Sequence, residues 1–179
     1  MKLYREITDD IKAANRFSLA NKLVIFFFNR GFHALFMYRI SNLLYRWRIP
    51  LLPMIFTRFI QIIYAIDIDY KATLSGGIVI VHGVGLVIGS GVYIDTNAIL
   101  FHGVTLGRRG IGPVISLTDG FPKIGKDCII CTGATIIGKV TIGENSIIGA
   151  NCVISQNIPS NSICKLPADH FVIINKNSN

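Results

Sequence analysis

The 179-residue sequence predicts a mainly β fold, a solenoid of stacked, flat-faced coils preceded by an α-helical amino-terminal region. The first observation behind this is a strict period of six. Ile124, Ile130, Ile136, Ile142, Ile148 and Ile154 form an unbroken ladder, and four residues after each of the first five rungs stand Cys128, Ala134, Val140, Ser146 and Cys152. Neither the 3.6-residue helix nor the two-residue alternation of a strand gives that period. A bulky rung fills the coil interior and a smaller residue lets the backbone turn. Coils must stack, because one alone cannot bury its rungs. The second observation is a change near residue 66, before which the chain is apolar, basic and free of the hexad. Residues 1–65 therefore read as a helical region and 66–179 as the coil domain.

In chain order, Met1–Arg16 reads as a short polar helix. Phe17–Ile66 is intensely apolar, but Asn29, Arg30, Arg39, Arg46, Arg48 and Arg58 interrupt it before it reaches the ~20 residues a membrane span needs. Pro50 and Pro53 divide it into two helical halves, each with an apolar face able to pack on a neighbour or lie in a lipid interface. The hexad then begins with Ile68, Leu74 and Ile80, with Ala72, Ile78 and Val84 at the small position. It resumes with Ile88, Ile94, Leu100 and Leu106, after a spacing of eight instead of six. That slip of two predicts a brief departure from the coil around His82–Gly85, where glycines supply unusual backbone angles. Residues 108–121 lack rungs and predict an extruded loop, the kind of segment that carries function on a rigid scaffold. Beyond Pro159 a closing segment, Ile163–Ile174, is expected to cover the coil edge.

The net charge of +8 is uneven. Residues 1–66 hold ten Lys or Arg against three acids, and residues 67–179 hold eight against seven. Because the cations are scattered among Phe, Leu and Ile, an anionic membrane surface suits them better than nucleic acid. Free cysteines and the polar start Met1–Ala14 point to a cytoplasmic protein, at the inner face of a membrane where residues 17–66 touch it. Cys128 and Cys131 form a CxxC that the hexad explains without a metal, and no second pair follows at zinc spacing.

Of four histidines, His33 reads as structural and His170 belongs to the closing segment. His82 and His102 each follow a rung by two, and they lie twenty residues apart, one coil of eighteen plus the slip. They should meet at one corner. A histidine acts as general base when a carboxylate orients it, and Asp67, fifteen residues before His82, is the candidate. No Ser or Cys nucleophile stands beside either histidine, which favours direct transfer.

The stretch Ile66 to about Val172 resembles the hexapeptide-repeat acyltransferases, and within them the serine O-acetyltransferase branch. The resemblance is carried by "DIDYKATLSGGIVIVHG", "HGVTLG", "DGFPKIG", "IIGANCVIS" and "LPA". It implies a left-handed parallel β-helix, a homotrimer, His82 as base oriented by Asp67, and acetyl-CoA as co-substrate near Gly107, Thr132 and Ala150. Where that branch carries Arg-His before "PKI" to hold serine, this chain has Gly120-Phe121. The combination looks more like the acetyltransferases that decorate capsule and exopolysaccharide sugars. The expectation is O-acetyl transfer to a sugar hydroxyl, with His102, Asp119 and Phe121 near the acceptor. Serine O-acetylation and a non-catalytic scaffold are the alternatives.

Overall fold

The computed structural model describes residues 2–109 and 120–167. Four helices open the chain: α1 (Lys2–Ser18), α2 (Lys22–Phe28), α3 (Arg30–Arg46) and α4 (Leu52–Tyr64). The break around Pro50 falls as expected, with Pro53 in the first turn of α4, where a missing N–H costs nothing. A second break was not foreseen. The side chains of Asn21 and Asn29 accept from the N–H groups of Leu23 and Phe32, so each asparagine starts a helix inside what reads as one apolar run.

From Asp67 onward the chain is the expected parallel β-solenoid, with three faces. The first holds β1 (Asp67–Ile68), β4 (Val87–Ile88), β7 (Thr105–Gly107), β10 (Thr135–Ile137) and β13 (Val153–Ile154). The second holds β2 (Thr73–Leu74), β5 (Tyr93–Ile94), β8 (Lys123–Ile124) and β11 (Thr141–Ile142). The third holds β3 (Val79–Val81), β6 (Ile99–Phe101), β9 (Ile129–Ile130), β12 (Ile147–Ile148) and β14 (Ile163–Cys164). Every rung from Ile68 to Ile154 is buried, and Cys128, Ala134, Ser146 and Cys152 turn inward as the hexad requires. Burial pushes the Cys128 thiol above its ordinary range.

Register locates both irregularities. A plain coil step is 18 residues, as in Val87 with Thr105 and Lys123 with Thr141. Tyr93 pairs with Lys123, 30 residues on, so the coil between β7 and β8 carries twelve extra residues. Most of that loop, 110–119, lies outside the described residues, as does the closing segment from 168. The first coil pairs at 20, Asp67 with Val87 and Val79 with Ile99. One expectation is corrected here: Val84 is 48% exposed, and Leu86 fills the inward position before Ile88. The two added residues precede Val84, so the inward position moves two residues along the chain.

The helices close the edge that β1, β2 and β3 would otherwise leave open. Tyr38 Oη donates to Ala72 O at 2.6 Å and accepts from Leu74 N, while Asn42 Nδ2 donates to Tyr70 O at 2.8 Å. Arg39, 3% exposed, donates to Leu74 O, to Ser75 O at 2.6 Å and through Nε to Asp10 Oδ2 at 3.1 Å. Asp10 in turn accepts from Gly77 N at 2.8 Å and Ile78 N at 3.0 Å. This buried pair fastens α1 and α3 to the first coil. Burial pushes the Asp10 carboxyl up to about 6, against the pull of Arg39 and the two backbone N–H groups. It pushes the Tyr38 hydroxyl up to about 12.

Candidate active site

The corner where the third face turns into the first gathers the histidines. Val81 pairs with Phe101 and Val87 with Thr105, so the upper coil spends two more residues on the turn than the lower one. Gly103 N donates to Val84 O just as Gly133 N donates to His102 O and Asn151 N to Thr132 O. The register partner of His102 is therefore Val84, and the two added residues are His82 and Gly83. His82 stands out from the wall because it is itself part of the slip. It adopts φ 63°, and Gly83, buried against Ile66 and Ile80, has φ 77° where a side chain would collide.

His82 and His102 meet as expected, ring centroids 5.8 Å apart at 71° in an edge-to-face arrangement. His102 Nδ1 is buried and makes no hydrogen bond among the described residues. Thr132 and Ala150 continue the column below His102, since Leu100, Ile130 and Ile148 are in register two residues earlier. Gly107 lies at the far end of the first face, and a Cβ there would meet nothing within 4 Å. The three positions implied for acetyl-CoA thus frame one outer face, and Gly107 leaves room for a ligand to approach the backbone.

Asp67 lies on the coil above, opposite Val87. Its carboxylate accepts from Gln61 Nε2 at 3.5 Å, and no hydrogen bond joins it to His82. Phe121 is not beside the histidines within the chain. Its ring fills the ledge left by Gly89 and Gly91 at the next corner, with the Arg108 guanidinium 5.8 Å from its centroid. Packing of the loop root accounts for Phe121. Asp119 lies outside the described residues.

A cavity of about 270 Å³ opens beside His82 between the helices and β3, lined among others by Phe17, Ser18, Phe28, Asn29, Arg30 and Val81. Sequence reasoning missed it, because it forms only when α1 and α3 dock on the third face. A larger cleft of about 560 Å³ lies under α1 around Asp9, Lys12 and Asn97, and no histidine lines it. Proximity to His82 makes the smaller cavity the better place for chemistry. His33 is structural as expected: Nε2 donates to Phe26 O at 2.7 Å, which leaves Nδ1 to accept from Tyr64 Oη at 2.9 Å. Among the described residues no cluster of His, Cys, Asp or Glu could hold a metal.

Comparison with known proteins bears on this arrangement. Residues 121–156 match the family of bacterial transferase hexapeptide repeats. A serine acetyltransferase of Helicobacter pylori is 31% identical over 142 residues, covering 79% of this chain and 81% of the relative. The chain belongs to the serine acetyltransferase family. The Buchnera aphidicola serine acetyltransferase from the Schizaphis graminum symbiont is 32% identical over 161 residues, and the chain spans 60% of that relative's length. Among solved structures, serine acetyltransferase 1 of Entamoeba histolytica superposes with a TM-score of 0.84 at 30% identity, over 92% of this chain and 63% of that one. The Neisseria gonorrhoeae serine acetyltransferase in complex with serine gives 0.83 at 28% identity, over 92% and 67%. These matches name serine acetyltransferases and no capsule or exopolysaccharide enzyme, so the finer sugar expectation draws no support from them. Relative to such proteins, this serine acetyltransferase family member has its likeness concentrated in the coils and the helices that cap them.

Proposed function

We propose that the protein is an acetyl-CoA-dependent O-acetyltransferase with His82 as general base. His82 takes the proton from the acceptor hydroxyl as its oxygen bonds to the thioester carbonyl carbon. When the C–S bond breaks, the imidazolium returns that proton to the departing CoA thiolate. The supporting observation is an outward histidine at a cavity mouth, stacked on His102 above the Thr132 and Ala150 column. Asp67 remains the proposed orienting carboxylate, engaging His82 when the acceptor binds, since such hydrogen bonds are often long before binding. We place acetyl-CoA in a groove between subunits of a homotrimer and give residues 17–66 a peripheral membrane contact.

The family relationship favours L-serine as acceptor. The cavity favours a second reading, a sugar hydroxyl. Desolvating an ammonium is costly unless a carboxylate meets it, and among the described residues the lining offers Arg30 and no acid. Coenzyme A release with serine, free sugars and nucleotide- or lipid-linked sugars separates the two. A specificity constant for serine of ~10⁴ M⁻¹s⁻¹ or more establishes the serine reading. Turnover confined to the sugars establishes the other, and release with neither overturns both.

A further inference from the structure

We infer that α2 and α4 together form one docking face for an anionic lipid bilayer, a narrower claim that rests on the membrane reading of residues 17–66. On α4, Leu52, Ile55, Phe59, Ile62 and Ile63 recur at the spacing of a single helical face, and all are exposed, Ile62 at 82%. The opposite side carries the buried Pro53 and Ile60, which hold the helix to the protein. On α2 only Ile25 is buried, leaving Leu23, Phe27 and Phe28 in the open. One imidazole joins the two patches, because His33 bonds both Phe26 O near the end of α2 and Tyr64 Oη at the end of α4. The apolar surface is therefore continuous.

Its charge selects the occupant. Residues 17–66 contain Lys22, Arg30, Arg39, Arg46, Arg48 and Arg58 and not one Asp or Glu. Arg39 is buried with Asp10, whereas Arg46, Arg48 and Arg58 are exposed, Arg58 on α4 itself. Trp47, 65% exposed, and Tyr45 stand between these arginines beside the start of α4. Apolar side chains at the centre, arginines and an amphipathic indole at the margin, and no acids match a surface of lipid tails beneath anionic headgroups. Among the described residues no helix is long and apolar enough to cross a membrane, so the face lies on the bilayer. Phe28 belongs both to this face and to the lining of the His82 cavity. The cavity thus opens beside the lipid surface.

Trp47 is the single tryptophan of the chain and reports directly. Full-length protein is mixed with phosphatidylcholine vesicles with or without 30% phosphatidylglycerol, a composition of about a third anionic lipid chosen to give a strongly negative surface. The expected result is a blue shift of Trp47 emission and co-sedimentation with the anionic vesicles alone, both reversed by salt. The double variant Phe59→Glu/Ile62→Glu should lower partitioning at least tenfold while leaving turnover of a water-soluble acceptor, and the far-ultraviolet circular dichroism, as in wild type. Wild-type binding that the double variant retains would overturn this face and leave membrane contact by residues 17–66 standing. No wild-type binding would overturn both. An oligomer that the double variant splits, without any vesicle binding, would assign the face to a second copy and overturn the proposal.

Discussion

His82 adopts a backbone conformation that few side chains accept, and this shapes the test of its role. At φ 63° an alanine would strain the corner, whereas asparagine tolerates the left-handed region and has no basic ring nitrogen. His82→Asn should therefore keep the fold and its acetyl-CoA affinity while turnover falls by about two to four orders of magnitude. Asp67→Asn should cost less. Steady-state rates of His82→Asn above about a tenth of wild type would remove the base assignment. The histidine pair was legible because twenty residues is one coil plus the slip. What spacing could not say was which residues were added, since only strand pairing distinguishes His82 from Val84 as the partner of His102. Phe121 was illegible for a related reason: the glycines that seat it, Gly89 and Gly91, belong to a different coil, 30 residues earlier in the chain than a neighbour would be by plain repetition.

At the scale of elements, the Asp10 and Arg39 pair fastens the helical cap to the first coil. Arg39→Met would leave Asp10 buried beside uncapped carbonyls of Leu74 and Ser75, at a cost of ~3–5 kcal/mol near neutral pH. The pH dependence has a definite sign. Because the Asp10 carboxyl is raised from 3.8 to about 6 in the folded chain, its stabilising contribution is complete below about pH 3.8 and is lost as pH rises through 6. Arg39 opposes that rise, so the variant's deficit should shrink on acidification as Asp10 takes up a proton. Urea midpoints at pH 4.5 and 7.5 measure it, and a deficit that grows in acid would refute the account. None of this showed in the sequence. A lone Asp in a polar helix and a lone Arg in an apolar one read as solvated charges, and only the docking of α1 and α3 on Gly77 and Ile78 gives them a common burial site.

For the whole molecule, the period of six carried the solenoid almost completely, because a repeat in which every rung must face inward has few ways to fold. The helical half carried less. Its apolar residues outnumber the positions a core of this size can bury, so pattern alone could not say which faces stay open, and two asparagine caps outweighed the run between them. The same uniformity gives the slip at His82 and Gly83 a wider meaning. Removing both residues would bring the first coil to the 18-residue step of its neighbours and relieve two left-handed conformations. Such a deletion should melt no lower than the parent and release no CoA. The shortest mutational path from this protein to a better-built one thus runs through loss of its chemistry. Descendants freed from selection for turnover would be expected to lose the base before the fold, surviving as inert spools of the same shape.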